Sequence, residues 1–330
     1  MRVLVTGGAG YIGSVAAHLL ASEGHEVWVY DNLSRGHLQA VLQGQLVQGD
    51  LRNQELLGAV LAEKRIEAVL HFAALALVGE SVQRPAWYYS NNVQGSLCLL
   101  QAMQRAGTRR IVFSSTTAVY GLARKLPLPV DHPREPINPY GRTKLAVEHA
   151  LEDYARACGF SVVVLRYFNA AGASRLFPLG EDHRPETHLI PNTLRVALGQ
   201  QEVLTIYGQQ HPTPDGTCVR DYVHVDDLAR AHLAALQQLD APGFRAYNLG
   251  SGRGSSVLEV VQMCRRVTGH PIPVRFAPAR PGDPPLLVAD WSKARQELHW
   301  HPQDSSLEQI ITTAWHWHRQ RPQGYRAVAK

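Results

Sequence analysis

The chain has 330 residues, 45% of them hydrophobic and 18% charged, with a formal net charge of +5. That length and balance suit a globular protein of about two domains. Basic residues are spread out, with only pairs such as Arg109-Arg110 and Arg265-Arg266, which excludes a nucleic-acid-binding arm and leaves the charge as solvated surface. No stretch approaches the roughly 20 apolar residues of a membrane helix. The start, Arg2-Val3-Leu4-Val5, reads as a buried strand and not as a signal peptide, so a cytoplasmic protein is expected.

Taken in chain order, residues 3–6, 27–30, 68–72, 111–114 and 162–166 read as short buried strands. Helical patterns over 12–22, 54–64, 92–106 and 140–158 alternate with them. This rhythm predicts an α/β fold, a Rossmann-like doubly wound parallel sheet with ligands beyond the carboxyl ends of its strands. After about residue 170 proline, glycine and polar clusters take over. The division expected is a dinucleotide-binding domain over 1–169, with segments near 221–250 returning to it, and a smaller α/β substrate domain over 170–330.

Gly7, Gly10 and Gly13 stand between the first strand and the first helix. There they permit a tight turn, close approach of a pyrophosphate and close helix–strand packing. Asp31 follows the second strand at the place of an acid that bonds the adenosine ribose, and its charge favours NAD over NADP. Asp50, after the third strand, is a further acid for the adenine end. Ser114-Ser115-Thr116-Thr117 closes a strand, so one hydroxyl should face the crevice. Tyr140 and Lys144 follow at i and i+4 of one helix, where the ammonium is expected to lower the phenol's pKa and make Tyr140 a general acid/base. Cys98, Cys158, Cys218 and Cys264 are far apart, which predicts free thiols in a reducing cytosol. His299-Trp300-His301 and His316-Trp317-His318 lack carboxylate partners at ligand spacing, and no metal is expected.

These residues resemble the extended short-chain dehydrogenase/reductase family, and within it the bacterial UDP-glucose 4-epimerases, essentially from end to end. The matching stretches include residues 5–14, Tyr30-Asp31-Asn32-Leu33-Ser34-Arg35-Gly36, His71-Phe72-Ala73-Ala74, 88–95, 113–121 and 139–145. Further on come 165–173, Thr187-His188-Leu189-Ile190-Pro191, 215–227 and Tyr247-Asn248-Leu249-Gly250. The resemblance implies an isomerase with a tightly bound NAD that is not consumed. It would interconvert UDP-galactose and UDP-glucose by transient oxidation at sugar C4, rotation of the keto sugar and return of the same hydride. It implies that Tyr140 moves the proton of the 4-hydroxyl, that Thr116 bonds that hydroxyl, and that Lys144 holds the nicotinamide ribose. Along the cofactor it places Gly7, Gly10, Tyr11, Ile12 and Gly13, then Asp31, Asn32, Leu33, Ser34, Arg35 and Gly36. Asp50, Leu51, Phe72, Ala73, Ala74, Asn91 and Phe168 complete that set.

For the substrate the resemblance implies Arg220 and Arg280 on the diphosphate and Asp283 on a ribose hydroxyl. Asn169, His188 and Leu189 would line the diphosphate and sugar, and Thr205, Ile206 and Tyr207 the uracil. A homodimer is implied through helices 92–106 and 140–158, with Val93, Leu97, Leu100 and Met103 either as its apolar surface or packed on the protein's own sheet. The chain has Ala76 where some members have lysine, His188 where some have asparagine, and Leu287 at the position that gates the sugar 2-substituent. The alternatives are an NAD-dependent 4-epimerase of UDP-N-acetylglucosamine, a uronate or a pentose, and, from a different class, a non-catalytic NAD-binding regulator. A 4,6-dehydratase would need Asp-Glu where Thr117 and Ala118 stand, and a regulator of this fold commonly lacks the tyrosine and lysine.

Overall fold

A computed structural model of the chain describes residues 1–41, 45–280 and 284–326. In the first strand, β1 (Arg2–Thr6), Val3 and Val5 enter one apolar cluster and Leu4 another, the period of two that pleating dictates. A strand buried on both faces needs helices on both. Tyr11–Ser22 and Val225–Gln237 supply Ala17, Leu20, Leu228 and Ala231 to the first cluster. Gln54–Glu63, Gly95–Ala106 and Pro139–Cys158 supply Leu57, Leu100 and Leu151 to the second.

The remaining strands of this sheet are β2 (Glu26–Asp31), β3 (Gln45–Gln48), β4 (Ala68–His71), β5 (Arg110–Thr116), β6 (Ser161–Tyr167) and Gly243–Leu249. Their order runs from Gly243–Leu249 through β6, β5, β4, β1 and β2 to β3, and every neighbouring pair is parallel. The chain reverses direction across the sheet between β1 and β4, which opens a crevice at their carboxyl ends.

Two details differ from the sequence expectation. The helix expected from residue 92 is α-helical only from Gly95, because Tyr89–Gln94 is wound in π form. The Asn92 side chain in that wide turn accepts from Leu75 N (2.8 Å) and donates to Leu75 O (3.0 Å) and Thr143 Oγ1 (3.1 Å). It thereby ties the loop after β4 to the Tyr140 helix. The second difference is that Val219–His224 lies outside the large sheet and pairs with Asn169–Ala171, Gly254–Ser256 and Leu286–Leu287. Leu204–Tyr207 and Val274–Ala277 form a further parallel pair. A third core of Ile190, Leu194, Val260, Ile310 and Trp315 supports this half. Among the described residues no helix is long and apolar enough to cross a membrane.

Candidate active site

One cavity of about 1450 Å³ runs from the β1 turn to Arg280, more than the roughly 300–1,000 Å³ of a single small-ligand pocket. It has room for two extended ligands end to end. At its β1 end the wall is backbone. Gly7 has a left-handed φ of 74°, and a Cβ there would lie 2.5 Å from Ala73 N, so only glycine fits. The helix Tyr11–Ser22 begins on Gly10 with no side-chain cap and no acid in its first turn. Its first N–H groups and dipole are thus available to an anion.

Asp31, buried at the end of β2, accepts from Ala9 N (3.1 Å) and Leu33 N (2.8 Å). Burial raises its pKa and these backbone bonds oppose the rise. The remaining lone pairs suit ribose hydroxyls. Uncapped helix, glycine turn and buried acid together fit a dinucleotide without a 2′-phosphate. Tyr11, Ile12, Gly13, Asn32, Ser34, Arg35 and Gly36 also line the cavity, as do Leu51, Phe72, Ala73, Ala74, Asn91 and Phe168. Leu33 and Asp50 are not among the lining residues. Asp50 instead accepts from Arg52 Nε (2.7 Å), Arg52 Nη2 (2.8 Å) and Asn32 Nδ2 (3.1 Å), and the Arg52 hydrogen bond holds its carboxyl well below the usual range.

In the middle of the cavity the Tyr140 helix starts with Asn138 accepting from Gly141 N (2.9 Å) and Pro139 in the first turn. A Cβ on Gly141 would run into the Ala118 carbonyl, so glycine lets the helix press against the end of β5. Tyr140 then meets Thr116, whose side-chain hydrogen bond draws the phenol's pKa down against a larger rise from burial, leaving it at about 12. In this balance the causes of the Tyr140 shift are burial and Thr116, without a share from Lys144. Lys144 Nζ donates to Ser114 O (2.8 Å) and lies 4.7 Å from the Phe113 ring centre. Burial lowers its own pKa to about 7, with Glu148 opposing. Beside it, burial and the Lys144 charge push His71 down to about 3, so this ring stays neutral.

The strand-end hydroxyls diverge. Ser114 Oγ accepts from Tyr167, and Ser115 Oγ donates to Glu148 (2.6 Å). Glu148 is fully buried and paired in a fork with Arg166, Nε at 3.0 Å and Nη2 at 2.7 Å. Thr116 alone of these three meets Tyr140.

At the far end Arg220, Arg280, Asn169, His188 and Leu189 line the cavity, with Thr205, Ile206, Tyr207 and Leu287. Arg280 stacks its guanidinium 4.1 Å from the Tyr207 ring centre, while Asp283 lies outside the described residues. The sequence reading gave no role to Asp221. Its buried carboxylate accepts from Ser251 N (2.7 Å), Ser251 Oγ (2.6 Å), Gly252 N (3.0 Å) and Ala289 N (3.0 Å). It fixes the strand that presents Arg220. Also missed was Glu181-Asp182-His183-Arg184-Pro185-Glu186, whose spacing of acids and histidines leading to His188 was the available signal.

The NAD dependent epimerase/dehydratase family model matches residues 3–250. The chain belongs to this family. The UDP-glucose 4-epimerase of Halalkalibacterium halodurans is 49% identical over 331 residues, covering 100% of this chain and 99% of that protein. Among solved structures, UDP-glucose 4-epimerase from Brucella ovis in complex with NAD is 51% identical with a TM-score of 0.93, covering 96% of this chain and 98% of that one. The Bifidobacterium longum UDP-glucose 4-epimerase, in complex with NAD+ and UDP, is 38% identical with a TM-score of 0.94, covering 98% and 100%. This family of epimerases and dehydratases gives the NAD-shaped end of the cavity its reading.

Proposed function

We propose that the chain catalyses the interconversion of UDP-galactose and UDP-glucose, inverting sugar C4 with a retained NAD. The observation that carries this is one continuous cavity with a glycine turn and Asp31 at one end, Arg220 and Arg280 at the other, and Tyr140, Thr116 and Lys144 between. Bound NAD supplies the acceptor and donor for the C4 hydrogen and, through its cationic ring, charge that favours a phenolate. Tyr140 takes the 4-hydroxyl proton and returns it, and Thr116 orients that hydroxyl. Lys144 holds the cofactor ribose. Along the dinucleotide lie Gly7, Gly10 to Gly13, Asp31, Asn32, Ser34, Arg35, Gly36, Leu51, Phe72 to Ala74, Asn91 and Phe168. Arg220 and Arg280 hold the diphosphate, since planar guanidinium forks match its oxygens, with Asn169, His188 and Leu189 beside it and Thr205, Ile206 and Tyr207 at the uracil.

In this reading residues 1–169, with the returning helix and strand of 225–249, hold the cofactor, and 170–330 chiefly the nucleotide sugar. The four free thiols suit a reducing cytoplasm. A homodimer would use the helices Gly95–Ala106 and Pro139–Cys158, but Leu100 and Met103 are buried against the chain's own sheet. Exposed Leu97 and half-buried Val93 remain for a partner, and light scattering that returns a monomer would remove this reading. The activity is tested by mixing purified protein with UDP-galactose, without added cofactor, and following UDP-glucose by NMR. Interconversion is expected, and its absence from protein with bound NAD defeats the proposal.

A further inference from the structure

Four potential metal ligands fall within eight residues, Glu181, His183, Glu186 and His188. The fold brings one ligand atom from each within 4.8 Å of all the others. Glu181 Oε1 lies 2.9 Å from His183 Nδ1 and also meets His188 Nδ1, while Glu186 Oε1 lies 3.9 Å from His188 Nδ1. Four ligands at zinc bond lengths in a tetrahedron stand about 3.3 Å apart. The separations, all within 4.8 Å, scatter about that value.

Charge points the same way. The Glu181 and Glu186 side chains are only 4% and 1% exposed, and two buried carboxylates this close are costly unless a cation joins them. Among the described residues their ion pairs are to His183 and His188 alone, so the joining cation is either a protonated imidazole or a bound ion. The nearby guanidiniums are engaged elsewhere: Arg184 meets Asp182, and Arg35 meets Glu80 and the Arg184 carbonyl. Among the described residues the contrast is the second cluster of this kind, His224, Asp226 and Asp304. There Arg175 and Arg230 already sit on Asp304.

The backbone around the four ligands is pinned from several sides. Trp317 Nε1 donates to Glu181 O (3.0 Å), Tyr325 N to Asp182 Oδ2 (3.0 Å), and Thr187 N and His188 N both to Glu186 Oε1 (2.8 Å each). Such outer contacts orient ligands before an ion arrives. We propose that Glu181, His183, Glu186 and His188 form a mononuclear site for a divalent transition-metal ion, zinc by its two imidazoles and two carboxylates. The ion holds residues 181–188 against the shared cavity. His188 binds it through Nδ1, leaving Nε2 for the diphosphate.

The full-length protein, stripped with a chelator and desalted, is titrated with Co²⁺ and then with Zn²⁺, and the bound metal is measured by mass spectrometry. The expected result is one ion per chain, with visible bands of a tetrahedral cobalt site that zinc abolishes. His183→Ala and Glu186→Gln, folded by circular dichroism, should each bind at least tenfold more weakly. Wild-type binding well below one ion per chain overturns the proposal, whether or not a variant folds. Unchanged binding in folded Glu186→Gln also overturns it, because the ion would then sit on other histidines. These readouts are independent of turnover and so of the sugar chemistry.

Discussion

At the β1 end of the cavity the contact surface is backbone: the left-handed Gly7, the uncapped helix start at Gly10, and an Asp31 fixed by two N–H groups. At the Arg280 end it is side chains, carried on segments as distant as Asn169, Tyr207, Arg220 and Leu287 and braced by Asp221. Backbone cannot be substituted away, only obstructed, whereas each side chain can be removed alone. Damage at the first end should therefore cost the cofactor, and damage at the second should cost substrate affinity. Tyr140 sits where the two meet.

The largest effect is expected at that junction. Tyr140→Phe should lower kcat by about 10²–10⁴ with NAD still bound, and near-wild-type turnover would take Tyr140 out of its role. At the cofactor end, Gly7→Ala forces a Cβ toward Ala73 N at φ 74°. A loss of about 1–3 kcal/mol in stability and of most bound NAD should follow, read by melting and by nucleotide content after desalting. Full NAD occupancy would break the backbone account. At the other end, Arg280→Ala should raise the KM for UDP-galactose about 10- to 100-fold, the cost of a charged hydrogen bond, with NAD content unchanged. A fall in NAD content there would erase the distinction between the ends.

A further effect concerns Lys144, whose folded pKa of about 7 lies below its ordinary 10.5. Between those values the unfolded chain binds more protons, so this group makes stability rise with pH, by at most about 1.4 kcal/mol per unit. Urea unfolding at pH 7 and pH 9 should show stability changing more favourably with pH in the cofactor-free wild type than in Lys144→Met, the difference being the Lys144 increment. Equal slopes would mean that burial does not perturb this lysine.

The contrast between the ends also explains what the sequence could tell. The glycine turn, Asp31 and the Tyr140–Lys144 spacing are local, and a few neighbouring residues specify them. The pleat also decides the strand-end hydroxyls: Ile111 and Phe113 face the Tyr140 helix, and Ser115 continues their register to reach Glu148. That register could have been read, but its partner Arg166 comes from β6. The fall of Lys144 to about 7 depends on burial that no spacing reveals. Asp221 serves three segments at once, and such a brace exists only after folding. Leu100 and Met103 failed as a partner surface because helical periodicity marks an apolar face without saying what covers it.

In the proposed reaction one hydrogen leaves and returns at the same sugar carbon while Tyr140 moves one proton. The direct measurement is conversion of UDP-galactose deuterated at C4 by the protein as purified, in ordinary water, with mass spectrometry of the product. UDP-glucose that keeps its deuterium at C4 is the predicted result, and UDP-glucose that has exchanged it for solvent hydrogen would contradict the account.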